Sequence, residues 1–219
     1  MGTITRTFAN NITTSGVFKP TAFNNASFDN VTSVPSGAVE GGNMVLLSTQ
    51  TASGSSSISF TSGIDSTYKE YMFIFNNIHP QTTGVHLTFQ GSTDGGSNYN
   101  TTITSTMFRA YHLENDSGAD VNYITSSDLA QSTSYQPIIQ TTSVNNADDD
   151  NMSGYLHLFN PSSNIYVKHF ISNCNASSDG GWNSYLAGYF NTTLPINSID
   201  FKFNSGNIDD GTIQMFGIL

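Results

Sequence analysis

Two glycine-containing stretches of this sequence, 92–100 and 179–185, hold the residue types best suited to ligand chemistry. The stretch 179–185 contains four such residues: Asp179, Trp182, Asn183 and Tyr185. An aromatic ring beside amide and carboxylate groups suits the hydroxyl array of a sugar, and Trp and Tyr also anchor protein interfaces. An ordinary core tryptophan is the alternative interpretation of Trp182. The stretch therefore predicts an exposed loop that contacts a sugar or a partner surface.

The stretch from Ser92 to Asn100 contains Asp-Gly and Gly-Gly dipeptides. Such dipeptides permit positive φ and are typical of loops between strands. Within this loop we take Asp94, Asn98 and Tyr99 as candidate surface-binding residues. Together the two stretches predict two exposed loops available for surface contact.

Patterns for catalysis and metal binding are absent from the sequence. There is no nucleophile elbow, phosphate-binding loop, dinucleotide fingerprint or zinc-protease helix motif. Paired carboxylates for glycoside hydrolysis are improbable, because the sequence has only three glutamates and most aspartates lie in turns. His157 and His169 lie on two arms of a predicted hairpin, but no third metal ligand has a readable position. We predict no catalytic residue, no bound metal and no other cofactor.

The stretch 44–80 is the one around which the fold is organised. In 57–61 apolar residues alternate with hydroxyl residues, as in a strand with one solvent-exposed face. In 71–75 every residue is apolar or aromatic, which predicts a strand covered on both faces. Turn sequences separate further strand patterns up to 212–219, giving roughly ten strands and no amphipathic helix. The sequence predicts an all-β fold, a jelly-roll-like antiparallel β-sandwich, over residues 43–219.

Residues 1–42 differ from the rest, because isolated apolar residues are scattered there among Thr, Asn and Ser. This pattern predicts an extended N-terminal arm rather than a domain. Leaving its phenylalanines in water would forgo about 1.5–3 kcal/mol each, so we expect the arm to pack on its own domain or on a neighbouring subunit or particle. The residues that we assign to an assembly arm are Phe8, Phe18, Phe23 and Phe28.

Composition narrows the range of partners. Only 10% of residues are charged and the net charge is -10, so the basic patch needed for nucleic acid is missing. Asn, Ser, Thr and Gly dominate the remainder, a surface typical of virion and extracellular β proteins. The sequence shows no signal peptide and no apolar run of the ~20 residues that a membrane span needs. Cys174 is the only cysteine, so no internal disulfide forms.

Four segments carry a resemblance to a known family: 46–53, 58–71, 92–99 and 211–218. They resemble a family of tailed-bacteriophage virion proteins, often from marine phages, and the similarity runs from about residue 43 to the end. The shared motifs are turn and strand patterns and include no catalytic residue. The resemblance implies a tail-fibre-like or other structural protein on the particle surface. Phage appendages of this kind are commonly trimers, so it also implies a homo-oligomer, with a trimer expected.

The function expected from these observations is that of a non-enzymatic virion surface protein of the tail-fibre or appendage type. Its arm would bind other virion proteins, and its loops would contact the host surface, with a host glycan as one candidate ligand. A capsid decoration or cement protein and a carbohydrate-binding module remain the alternatives. We expect synthesis in the host cytoplasm and a final location in the virion, with neither nucleic acid nor a membrane as partner.

Overall fold

The computed structural model describes residues 44–139 and 144–219. The chain divides between residues 42 and 43 into two units, and all described residues belong to the second. The predicted arm lies outside the described residues, as do its four phenylalanines Phe8, Phe18, Phe23 and Phe28.

Twelve strands, numbered in chain order, occur in the described part of the chain, together with one 3-10 turn at Thr125–Ser127. The strands are β1 (Met44–Thr51), β2 (Ile58–Phe60), β3 (Glu70–Pro80), β4 (Leu87–Ser92), β5 (Ile103–Leu113), β6 (Ala119–Tyr123), β7 (Gln136–Pro137), β8 (Met152–Phe159), β9 (Lys168–Ser177), β10 (Gly180–Phe190), β11 (Ser198–Phe203) and β12 (Ile208–Ile218).

The strands form two antiparallel sheets with a jelly-roll order. The larger sheet runs β1-β12-β3-β8-β9-β10-β5-β6 and the smaller β2-β11-β4-β7. Along the chain, the steps β1 to β2, β3 to β4, β7 to β8 and β11 to β12 each cross from one sheet to the other. The rows β1-β12-β3-β8 and β2-β11-β4-β7 are therefore the two four-stranded layers of a jelly roll. The predicted sandwich is confirmed.

Two hairpins widen the larger sheet beyond this frame. The hairpin β9–β10 pairs with β8 on one side and with β5 on the other, and β5–β6 forms the outer edge. We call these four strands, β9, β10, β5 and β6, the extension. The long pairing of β10 with β5, from Gly180↔Leu113 to Phe190↔Ile103, joins the two hairpins into one sheet.

Phenylalanines from both sheets form one core. The ring of Phe201 in β11 lies 5.3 Å from those of Phe73 and Phe75 in β3. The ring of Phe89 in β4 lies 5.1 Å from that of Phe170 in β9. All five side chains are buried. Because Phe170 belongs to the extension, the extension shares the core of the jelly roll.

The prediction that 71–75 is covered on both faces is wrong. The odd-numbered residues of this segment of β3 are buried in the core, whereas Met72 and Ile74 on the opposite face are only half-buried. No other sheet of the described residues packs on that side. The apolar outer residues instead touch neighbours on the same face, since Ile74 is the cross-strand partner of Tyr155.

Candidate functional site

The outward side of β8 and the extension is rich in aromatic rings and free of formal charge. Side chains alternate along these strands, and those turned away from the core are exposed or half-buried. On these five strands none of the outward side chains is Asp, Glu, Lys or Arg. We call this surface the aromatic face; its aromatic members are Phe108, Tyr123, Tyr155, Phe159, Tyr185 and Tyr189.

Strand register lines up five side chains in one row across the aromatic face. In spatial order the row reads Tyr123, Phe108, Tyr185, Asn173 and Tyr155, one residue from each of β6, β5, β10, β9 and β8. The rings of Phe108 and Tyr185 are stacked, with centroids 4.8 Å apart and planes within 11°. Their exposed fractions are 47% and 38%, so the stack stands on the surface rather than in the core.

Beside this stack lies a shallow depression of about 270 Å³. Tyr185 and Tyr155 border it on either side of Asn173, and the small side chain of Ala187 lies next to Tyr185 along β10. Within the described residues, the Asn173 amide makes no hydrogen bond, whereas its neighbour Asn175 donates to Trp182 O (3.2 Å). We call the space between the two tyrosines the Tyr155–Tyr185 slot.

A second depression of about 380 Å³ adjoins the slot. Both are lined by Thr106, Ile171 and Ala187. Its far side is formed by Tyr189 and His169, whose rings lie 5.8 Å apart. The aromatic face is therefore furrowed, with hydroxyl, amide and aromatic groups around a floor of small and aliphatic side chains.

The predicted loop 179–185 is wrong, because β10 begins at Gly180. Only Asp179, with φ of 52°, belongs to the turn. Asn183 and Tyr185 lie on the aromatic face, whereas Trp182 points to the opposite side and packs against the core. The structure thus separates residues that the sequence had grouped in one loop.

The indole of Trp182 belongs to a stacked cluster on the core side of the extension. It lies 4.7 Å from the Tyr111 ring, with planes within 15°, and the Arg109 guanidinium is 4.7 Å above it. Its Nε1 donates to Ser178 O (2.8 Å). Burial lowers the pKa of Arg109. For Trp182, the core interpretation therefore describes the contacts better than a ligand-binding one.

The loop 92–100 is an exposed turn whose polar groups bond to one another. The Asp94 carboxylate accepts hydrogen bonds from Ser92 Oγ (2.6 Å), Asn98 N (2.9 Å) and Asn98 Nδ2 (2.7 Å). These bonds lower the pKa of Asp94 to about 2. The Tyr99 hydroxyl is buried, which raises its pKa. Two of the three candidate side chains are therefore engaged in holding the loop, and the third is turned inward.

Three residues of the slot region were missed by sequence reasoning: Phe108, Tyr155 and Asn173. The face on which each side chain lies could be predicted from the alternation along its strand: Tyr155 alternates with buried Leu156 and Leu158 in a predicted hairpin. What the sequence did not show was which strands pair with one another. Tyr185 meets Phe108 only because β10 pairs with β5, more than 60 residues earlier in the chain.

The smaller sheet has a polar cluster on its outer side, and it is internally satisfied. Asp200, buried in β11, accepts hydrogen bonds from Ser59 Oγ (2.5 Å) and Tyr135 Oη (2.9 Å). The ammonium of Lys202 lies 3.9 Å from the centroid of the Tyr135 ring. Burial and the neighbouring carboxylate raise the pKa of Tyr135. The carboxylate of Asp200 and the hydroxyl of Tyr135 are therefore engaged with each other.

His157 and His169, which the sequence places on two arms of one hairpin, are not cross-strand partners. Both histidines lie on the aromatic face, but the cross-strand partner of His157 is Ile171. His157 Nε2 instead lies 3.0 Å from Glu70 Oε2 on β3. Across residues 44–139 and 144–219, no three His, Cys, Asp or Glu side chains are grouped as a metal ion would require.

Comparison with known proteins adds no relative. The chain matches no family model, and it has no match among curated proteins or solved structures. Among the described residues there is no helix with the length and apolarity needed to cross a membrane.

Proposed function

We propose that this protein is a non-enzymatic virion surface protein of the tail-fibre type that makes contact through the aromatic face. The observation that carries the proposal is the absence of formal charge among the outward side chains of β8 and the extension, combined with their content of Tyr and Phe. Interface centres are depleted of charge and enriched in aromatic residues. The assignment to a virion rests on the resemblance of residues 43–219 to tailed-phage virion proteins.

A large apolar surface is costly to leave in water unless a partner covers it. Elsewhere on the described surface, the loop around Asp94 is self-bonded and Asp200 is bonded within its own cluster. Other large hydrophobic side chains are exposed, for example Met44, Leu46 and Leu194, but they form no stacked pair of rings like that of Phe108 and Tyr185. The aromatic face is thus the part of the sandwich best suited to bind another molecule.

Capsid decoration is the second candidate function, and the outer edge of the extension favours it. Strand β6 is a sheet edge, and its Val121 and Tyr123 are 68% and 60% exposed. An edge strand with exposed apolar side chains is a template for pairing with another chain. In that role the aromatic face would lie against neighbouring capsid subunits rather than a host.

The test uses particles assembled from the genome that encodes this chain, with Phe108→Ser and Tyr185→Ser combined. The control is Tyr166→Ser, which removes an exposed tyrosine (68%) outside all strands. We expect the double variant to be incorporated normally, as judged by mass spectrometry of purified particles, and to adsorb to host cells at least about tenfold more slowly. The control particles should adsorb normally.

Three results would change the conclusion. Failure of the double variant to be incorporated would favour the decoration function, because the face would then serve assembly. Absence of the wild-type chain from purified particles, or normal adsorption of the double variant, would overturn the proposal.

A further inference from the structure

The Tyr155–Tyr185 slot has the geometry of a site for one flat ring, an inference that rests on the proposed use of the aromatic face for contact. Phe108 covers one face of the Tyr185 ring from the side of β5. The other face of this ring is therefore turned toward β9, where Asn173 lines the depression. Tyr155 stands on the far side of Asn173.

The spacing of the strands sets the width of the slot. Strands β10 and β8 are separated by β9, and neighbouring strands lie ~4.8 Å apart. The backbones that carry the two tyrosines are therefore about 9.6 Å apart. A ring held between them at van der Waals distance on each side needs roughly 7–8 Å. The slot thus admits one ring between the two tyrosines.

The polar groups of the slot favour a ligand with hydroxyls. The Asn173 amide has one acceptor oxygen and two donor hydrogens, and none of them is used within the described residues. Thr106 lines the same depression, and its hydroxyl, which donates to Tyr123 Oη (3.3 Å), keeps its acceptor capacity. Amide and hydroxyl groups close to an aromatic surface match a sugar ring, which has C–H groups on its faces and hydroxyls at its rim.

The charge of the region decides against an acidic ligand. The lining of the slot and of the adjoining depression includes no Lys or Arg. The nearest strand position with a guanidinium is Arg109, which points to the core side of β5 and stacks on Trp182. With a net charge of -10 in the whole chain, a carboxylate or phosphate would be repelled rather than paired.

We infer that the Tyr155–Tyr185 slot binds a neutral saccharide, with one pyranose ring stacked on the free face of Tyr185 and hydrogen-bonded by Asn173. The adjoining depression, bordered by Tyr189 and His169, extends the site along β10 and takes the next residue of the same glycan. The ligand class is therefore an uncharged oligosaccharide.

The experiment titrates the full chain by calorimetry with neutral oligosaccharides from glucans, mannans, galactans and xylans, and with acidic oligomers of uronic acids. We expect at least one neutral series to bind and the acidic series not to bind. Saturation-transfer NMR should show the strongest transfer at the C–H protons of one ring, because that ring lies against tyrosine.

Single variants locate the site. Tyr185→Ala and Tyr155→Ala should each weaken binding at least ~10-fold, and Asn173→Ala about fivefold. Tyr166→Ala serves as the matched control and should bind like the wild type. Circular dichroism and thermal unfolding of each variant check that the fold is intact, and we expect no loss of the fold because these side chains lie on the outer side of the sheet, exposed or half-buried.

The inference is overturned if no neutral series binds at ~5 mM, if an acidic series binds more tightly, or if Tyr185→Ala and Tyr155→Ala bind normally. If no saccharide binds but particles with the Phe108→Ser, Tyr185→Ser double variant adsorb slowly, the aromatic face makes contact with a partner other than sugar. Saccharide binding with normal adsorption would keep the slot and remove its role in attachment.

Discussion

Lys168 is a fully buried lysine at the start of β9. Its Nζ donates to Tyr166 O (2.8 Å) and Thr192 O (3.0 Å), and no carboxylate among the described residues lies within ion-pair distance. The two bonds tie the segment before β9 to the segment after β10. Burial of the ammonium lowers the pKa of Lys168.

This lowered pKa makes stability depend on pH in a defined direction. Between the lowered folded-state pKa and the unfolded value of about 10.4, the unfolded chain binds more protons than the folded one. The free energy of unfolding therefore rises with pH across that window. Below the window both states hold the proton, and the contribution of Lys168 is constant.

Replacing Lys168 by Met leaves two carbonyl groups without their donor, so we expect a loss of about 1–3 kcal/mol in the free energy of unfolding at pH 7. The alkaline rise in stability due to this residue should disappear. Urea unfolding at pH 7 and in the alkaline window measures both effects, with exposed Lys69→Met as the control. An unchanged alkaline rise in the variant would show that another group titrates.

At the scale of elements, β10 shows why a glycine-containing strand is mistaken for a loop in the sequence. Gly180 looks like a turn residue, but a Cβ there would lie 2.6 Å from His112 O, so the glycine is required by close packing of β10 on β5. A glycine serves turns and tight strand packing alike, and only tertiary contacts decide between them. This ambiguity led to the wrong loop at 179–185.

Strands with strict alternation were predictable, and β11 is the clearest example. Ile199, Phe201 and Phe203 all face the core, as their spacing predicts. The candidate slot was not predictable to the same degree, because Tyr155, Asn173 and Tyr185 become neighbours only through the register of three strands. Local periodicity shows which face a side chain takes, whereas long-range pairing sets what stands beside it.

The loop 92–100 depends on Asp94, so Asp94→Ala should loosen the loop and leave the sheets intact. We expect the Asn98 amide to exchange with solvent ~10-fold faster, because its acceptor is lost. The stabilisation by the Asp94 carboxylate is present above the unfolded pKa of about 3.9 and is lost as pH falls through about 2. Hydrogen exchange of the Asn98 amide measures the effect, and Asp148→Ala, in another exposed loop, is the control. Equal exchange rates in the wild type and in Asp94→Ala would contradict the prediction.

At the scale of the whole molecule, the jelly roll and its extension share one set of buried side chains. Cys174 in β9 faces this core and is fully buried, and burial raises the pKa of its thiol to about 12. Because a thiolate is the reactive form, the folded protein protects this residue twice, by access and by protonation.

Alkylation of Cys174 should therefore report on global unfolding. We expect its labelling by iodoacetamide in native buffer to be at least ~1000-fold slower than that of a free thiol, and to accelerate in urea in step with global unfolding. A Cys174→Ala, Ser97→Cys double variant, with its thiol in an exposed loop, gives the reference rate. Labelling that outpaces global unfolding would mean that the extension opens on its own.

The pairing of β1 with β12 has a practical consequence for the use of this sandwich. Met44 and Ile218 are direct cross-strand partners at one edge of the larger sheet, whereas the slot lies between β8 and β10, two to four strands from β12. At ~4.8 Å per strand, this is a separation of about 10–19 Å. A label, bead or sensor chip attached after Leu219 would hold the sandwich near the β1–β12 edge and leave Tyr155 and Tyr185 open to whatever flows past.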